Sequence, residues 1–400
     1  MQSPPKAARA ATFAYFALNG FVMGMWVVHI PAVEQRAGIA HPVLGWLLLL
    51  LGGGAFAGMQ LAGRLTDRYG ARRIVPVAGV LCSAALVLPG LATDGPALGA
   101  ALLLLGIGNG VLDVGMNAHA VEVERQYGRP VMAAFHAVFS IGGVLAAVLG
   151  AAALARGWTP AGTLTAAALT AAAASVLCGR ALLDRPPTTG GPARPGDGTA
   201  TPATRRRTRT PGRIRALAGL AFVLMLCEGV ANDWSVLAVR EGLGAAPATA
   251  ALAYGAFATA MTTGRFLADR AAQRFGSLAV VGHGALLAAA GLSAAALAPT
   301  VAVALTGWAV FGVGLSGCVP QLFSAAGHAD PAASGTNVSR VAGLGYLGML
   351  AGPAVIGPLT RAAPLHLVLL LPVALCLVAA AAARPALAAP RAGTAINAPA

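Results

Sequence analysis

Apolar residues in this chain gather in runs of about twenty, separated by short stretches that hold nearly all of the arginines. The runs are apolar throughout, so they lack the alternation of a half-buried strand. A hydrocarbon layer about 30 Å thick is crossed by about 20 helical residues. Only backbones whose hydrogen bonds close internally are tolerated there. The pattern therefore predicts an all-α membrane protein with twelve transmembrane helices, near 8–30, 42–62, 74–93, 97–118, 130–154, 160–183, 215–237, 246–263, 277–298, 300–325, 336–358 and 364–383. The first run follows Lys6 and Arg9 but exceeds a secretory signal core and lacks a small-x-small cleavage site, so it is read as span 1.

Composition agrees. Of 400 residues 57% are hydrophobic and 10% charged, against roughly 25% charged in soluble domains, which excludes an ordinary water-soluble protein. A formal charge of +14 would suit nucleic acid only on a folded, solvated face. Here the charge sits between apolar runs, and no nucleic-acid partner is expected. With both termini placed inside, 23 of the 27 Lys and Arg fall in inner segments, leaving Arg36, Arg156, Arg240 and Arg361 outside. The expected location is a bacterial-type inner membrane, multi-pass, with both termini cytoplasmic. Cys82, Cys178, Cys227, Cys318 and Cys376 each lie in an apolar stretch without metal-ligand spacing, so neither a metal site nor a disulfide framework is expected.

One long polar stretch interrupts the runs. Residues 184–214, rich in Pro, Gly, Thr and Arg and including Arg205, Arg206 and Arg207, read as a basic cytoplasmic linker expected to be disordered. It separates an N-terminal six-helix bundle, 1–183, from a C-terminal one, 215–383, followed by a cytoplasmic tail, 384–400. The halves echo one another. Gly63-Arg64-Leu65-Thr66-Asp67-Arg68 follows span 2, and Gly264-Arg265-Phe266-Leu267-Ala268-Asp269-Arg270 follows span 8. Gly106-Ile107-Gly108 in span 4 is matched by Gly312-Val313-Gly314 in span 10.

These motifs resemble the major facilitator superfamily. The stretch Gly63 to Arg73 is similar to that family's signature loop between helices 2 and 3, and the second copy is looser, with Ala271-Ala272-Gln273-Arg274 intervening before Phe275-Gly276. Asp113-Val114-Gly115-Met116-Asn117 running on to Glu122 and Glu124, then His136-Ala137-Val138-Phe139-Ser140, looks like a bacterial branch beside the fucose permeases. The resemblance implies two pseudo-symmetric six-helix bundles that rock about a midplane site. It also implies loops that clamp the cytoplasmic side, placing Gly63, Asp67, Arg68, Gly70, Arg72, Gly264, Asp269 and Arg270 in gating roles. Physically, Gly63 and Gly70 permit a tight turn, and Asp67 suits a helix N-terminus, where the dipole favours an anion. Two departures weigh against proton-driven drug efflux: span 4 has no embedded arginine at Leu102 to Leu105, and span 5 has no Gly-Pro signature.

Polar residues inside spans are costly and therefore informative. Asn109, Asp113 and Asn117 recur every four residues on one face, over about 12 Å of helix. Glu228 and Asn232 repeat that step in span 7, span 1 adds Asn19, and span 5 adds His136 with Ser140. Asn19, Asn109, Asp113, Asn117, His136, Glu228 and Asn232 are thus the candidates for substrate or proton binding. Asp113 admits two readings, a structural pair with His136 or a proton carrier. Glu228 has no obvious cation at its depth and is assigned to substrate or proton. His119, Glu122 and Glu124 read as a solvated helix end, and Trp26, Trp158 and Trp234 as interfacial anchors. Gln321, Ser324 and Tyr346 are further candidates for the cavity.

The expected function is secondary active transport of a small polar solute by alternating access, with proton-coupled symport of a sugar-like or related metabolite as the favoured form. Drug or metabolite efflux by proton antiport is the alternative within transport, and a non-transporting membrane sensor is the alternative outside it. No enzyme activity and no cofactor are expected, a proton gradient being the candidate energy source. The partners are a small-molecule substrate and the lipid bilayer, and a monomer is the expected functional unit.

Overall fold

The computed structural model describes residues 5–39, 41–183 and 212–387, and among these no strand occurs. The helices are α1 (Pro5–Ala37), α2 (His41–Tyr69), α3 (Ala71–Leu91), α4 (Gly95–Tyr127), α5 (Met132–Ala155), α6 (Pro160–Gly179), α7 (Gly212–Leu243), α8 (Pro247–Ala296), α9 (Val301–Ser316), α10 (Cys318–Ala329), α11 (Ser334–Leu359), α12 (Leu365–Val368) and α13 (Leu370–Leu387). Eleven stretches among the described residues are long and apolar enough to cross a membrane. One of them, Leu252–Ala296, is broken at Gly276 and supplies two crossings, so the spans number twelve.

Local chemistry explains where helices start and stop. Asp94 caps α4 by accepting from the Ala97 amide at 2.8 Å, and Thr159 caps α6 by accepting from Gly162 at 3.1 Å. Gly128 ends α4 at φ 67°, a left-handed conformation that suits glycine. Pro320 and Pro372 lack the amide that would bond back to Ser316 and Val368, and the breaks between α9 and α10 and between α12 and α13 fall beside them. Several helices outrun the hydrophobic runs that predicted them. The 33 residues of α4 rise about 50 Å, well beyond the hydrocarbon layer. Likewise α7 begins at Gly212 and α13 ends at Leu387, so 212–214 and 384–387 are helical. The remainder of the expected linker and tail, 184–211 and 388–400, lies outside the described residues.

Two six-helix groups are evident from the packing. In the first, α2 and α3 flank α4, α1 packs on α5, and α3 on α6; in the second, α8 folds around α9, α7 packs on α11, and α13 on α8. Glycines allow the closest crossings. A Cβ on Gly106 would stand 2.1 Å from the Leu51 carbonyl oxygen, and one on Gly108 2.9 Å from the Cys82 Cα. In the second group, Gly312 meets the Phe257 carbonyl at 2.3 Å and Gly314 the Ala288 amide at 2.4 Å. Leu51 and Phe257, Cys82 and Ala288, Gly106 and Gly312 all differ by 206 positions, so the glycine echo marks equivalent crossings. Gly70 and Gly276 share that offset and break the chain alike, at φ 81° and 84°. The two groups meet mainly through α2 against α11 and α5 against α8.

Candidate functional site

The end of the bundle carrying the 63–73 and 264–276 segments, called here the basic end, is where the halves are tied together. The Asp67 carboxylate, at the end of α2, accepts from the Gly335 and Thr336 amides, both at 2.9 Å, and from the Thr336 hydroxyl. Those amides open α11, whose dipole favours an anion there. Asp269 repeats the arrangement in α8, accepting from the Ala133 and Ala134 amides at 3.0 and 2.7 Å, the first turn of α5. Gly70 supplies the turn into α3 at φ 81°. Arg68 stacks on the Tyr69 ring.

Glu124 forms a third tie. One oxygen accepts from the Val131 and Met132 amides at 2.9 and 3.1 Å, and the other accepts from the Ser324 hydroxyl of α10 in the opposite half. Arg125 donates across the same boundary to the Gly327 carbonyl at 3.3 Å. For Glu124 and His119 the reading as a solvated helix end is therefore corrected, while Glu122 stays partly exposed beside Arg125. Glu124 and His119 are buried because α4 continues straight out of the membrane under the neighbouring helices. His119 takes the Leu183 amide on Nε2 at 2.9 Å, which leaves Nδ1 to donate to the Thr12 hydroxyl at 3.0 Å. Trp26 is corrected as well: at 1% exposure it fills the core of the first half and anchors nothing at the lipid interface.

Deeper lies a polar cluster shared by both halves. Arg265 of α8 reaches 3.6 Å from Glu228 of α7 and donates to the Ser140 hydroxyl of α5 at 3.0 Å. Tyr346 of α11 lies near this cluster. Glu228 thus has a cation after all, from a residue that reads in sequence as part of the basic loop. The motif's arginine stands three residues before Asp67 in the first copy, as Arg64, and four before Asp269 in the second, as Arg265. Counted back from the clamping carboxylates, the position four residues before Asp67 is Gly63, and the position four before Asp269 is Arg265. Residues four apart share a helix face, so both look toward the opposite half. Gly63 lets α2 close on Ser339, 2.7 Å from where its Cβ would be, whereas Arg265 projects into the interior. Gly264, in the motif's first position, packs on Ser316 within its own half.

The expected pair of Asp113 and His136 is not formed among the described residues. Asp113 Oδ1 accepts a long bond from Asn117 Nδ2 at 3.4 Å, and Nδ2 donates also to the Asp113 carbonyl at 2.9 Å. The His136 ring instead lies between Phe16, 5.2 Å away, and Phe323 of the other half, 5.8 Å away and edge-on. Among the candidate site residues, four buried oxygens find no partner among the described residues: those of Asn19, Asn109 and Asn117, and Oδ2 of Asp113. Buried acceptors left open are costly and suit a ligand that donates. Asn232 is exposed, one turn beyond Glu228. Arg265, Glu124 and Ser140's link to α8 were missed by sequence; the five-residue gap from Gly264 to Asp269, against four from Gly63 to Asp67, was the available signal.

The sequence pattern of the Major Facilitator Superfamily matches residues 12–353. The chain belongs to that superfamily. It is 32% identical over 381 residues to an uncharacterized MFS-type transporter of Yersinia pestis, covering 95% of this chain and 96% of that one. It is 33% identical over 360 residues to an uncharacterized transporter of Sinorhizobium fredii, covering 88% and 91%. Over 373 residues it is 29% identical to the membrane protein MosC of Rhizobium meliloti, covering 93% and 88%. Among solved folds, FucP in its outward conformation superposes at a TM-score of 0.77 with 16% identity over 95% of this chain and 98% of that one. The human organic anion transporter MFSD10 gives 0.72 with 19% identity over 96% and 100%. As a member of the superfamily the protein is a multi-span membrane transporter, and the twelve-helix fold and its placing beside the fucose permeases agree with these likenesses.

Proposed function

We propose that this transporter carries a small polar solute inward, coupled to protons, across a bacterial inner membrane, with both termini and the basic end in the cytoplasm. The observation that carries this reading is the cluster of Glu228, Arg265 and Ser140, with Asp113 and Tyr346 beside it, drawn from both halves. Glu228 is paired with the Arg265 guanidinium and Asp113 is not, so uptake of one proton by Asp113 removes an uncompensated charge, which is expensive in the membrane interior. A proton can thus be taken up while the site faces one side and released when it faces the other. The open oxygens of Asn19, Asn109, Asn117 and Asp113 support a solute rich in donors, such as a sugar, a polyol or an amine. The ties through Asp67, Asp269 and Glu124 act as the cytoplasmic gate, which must break for the site to open inward.

The test uses protein reconstituted into liposomes with a pH-sensitive dye inside, challenged with sugars, polyols and amino compounds. Symport predicts substrate-dependent movement of protons along with solute, abolished by Glu228→Gln while the variant stays folded. Counter-movement of protons would indicate export by antiport. Binding in a thermal-shift screen without any flux would indicate a sensor. Substrate flux that never moves protons overturns the coupling assigned to these carboxylates.

A further inference from the structure

We propose that the groove between α3 and α6 at the basic end is a binding site for one anionic phospholipid. The cavity there measures about 700 Å³, with Arg72, Arg73 and Arg180 at one end and Val77, Leu81 and Val176 along the rest. Those three apolar side chains are 58%, 60% and 50% exposed and face lipid. The helices close on one another directly behind it: a Cβ on Gly179 would lie 2.5 Å from the Pro76 ring, and Ser175 donates to the Pro76 carbonyl at 3.1 Å. The site is therefore a fixed wall carrying guanidinium groups where a helix leaves the membrane and bare hydrocarbon where it enters. That division matches a phosphate headgroup above acyl chains, and basic pockets of this kind between transmembrane helices hold anionic lipids.

This charge is confined to the first half. The repeat places Gly276 where the first half has Gly70, so the positions of Arg72 and Arg73 are taken in the second half by Leu278 and Ala279. The arginine pair closes the signature stretch Gly63 to Arg73 and lines one groove, with no counterpart in the second half. Arg72 and Arg73 stand within six residues of Asp67, so a bound headgroup would also bear on the segment that holds the α2–α11 tie.

The experiment titrates full-length, delipidated protein with phosphatidylglycerol in detergent and follows complexes by native mass spectrometry. Phosphatidylcholine with the same chains and free glycerol 3-phosphate serve as comparisons. Phosphatidylglycerol is expected to bind more tightly than phosphatidylcholine and to resist displacement by glycerol 3-phosphate. Replacing two arginines near the surface, Arg73→Gln with Arg180→Gln, is expected to weaken it about thirtyfold. The double change Arg270→Gln with Arg274→Gln, which alters the same face elsewhere, is expected to leave it unchanged. Val77→Trp, a lipid-facing substitution that fills the groove, is expected to abolish binding without touching a charge. Equal binding of the two lipids, equal weakening by both arginine pairs, displacement by glycerol 3-phosphate, or normal binding by the Val77→Trp protein would overturn the assignment.

Discussion

Asp269→Asn isolates what the tie between α8 and α5 contributes. The carboxylate takes two amide hydrogen bonds from the first turn of α5, at 3.0 and 2.7 Å, and is 8% exposed. Hydrogen bonds to a charged group are worth about 1.5–3 kcal/mol each, and an anion at a helix N-terminus adds about 0.3–1 kcal/mol. Asparagine keeps one acceptor and loses the charge, so the tie weakens by about 2 kcal/mol, which shifts the balance toward the state open at the basic end about thirtyfold. The readout is Val121→Cys, a fully buried position on α4 packed against Gly327 of the opposite half. An impermeant maleimide applied from the basic side is expected to label this cysteine about thirtyfold faster when Asp269→Asn is also present, because the reagent reacts only with the open state. Asp67→Asn is expected to act at least as strongly, since Asp67 holds two amides and a hydroxyl. Unchanged labelling in both variants, with protein still folded, would show that these carboxylates fix topology and do not gate.

Other consequences follow from the interior. Arg265→Met leaves Glu228 without its cation and is expected to lower stability by about 3 kcal/mol, whereas Arg265→Met combined with Glu228→Gln should recover most of the loss; unfolding in detergent measures both, and an uncorrected loss in the double variant would remove the ion pair from the account. Gly110→Val puts side-chain atoms where even a Cβ would stand 2.0 Å from the Ala55 carbonyl, so the α2–α4 crossing cannot form and folded yield should collapse. Gly53→Ala, with nothing within 4 Å, is expected to be neutral or slightly stabilising in the same expression and melting assay.

Hydropathy along the chain determined the twelve spans, their division at the polar stretch and the two loop motifs. Each is a local property: lipid requires every backbone group to be paired within its own helix, so a run of the right length declares itself without its neighbours. The same holds for the 206-residue echo of glycines, which mark crossings because no side chain stands in the way. Asp113, Glu228 and the asparagines were also legible, because polar groups in apolar runs stand out. Partners were not. Whether Arg265 points to the loop or to Glu228 depends on rotation about the helix axis, where each step along the chain turns a side chain by about 100°. Whether His136 meets Asp113 or two phenyl rings depends on how α4, α5 and α10 cross. Glu124 looked like a solvated terminus because burial there is supplied by α5 and α10, both distant in sequence. Insertion into lipid follows from single segments; pairing among the few polar groups inside follows only from the packing of all of them together.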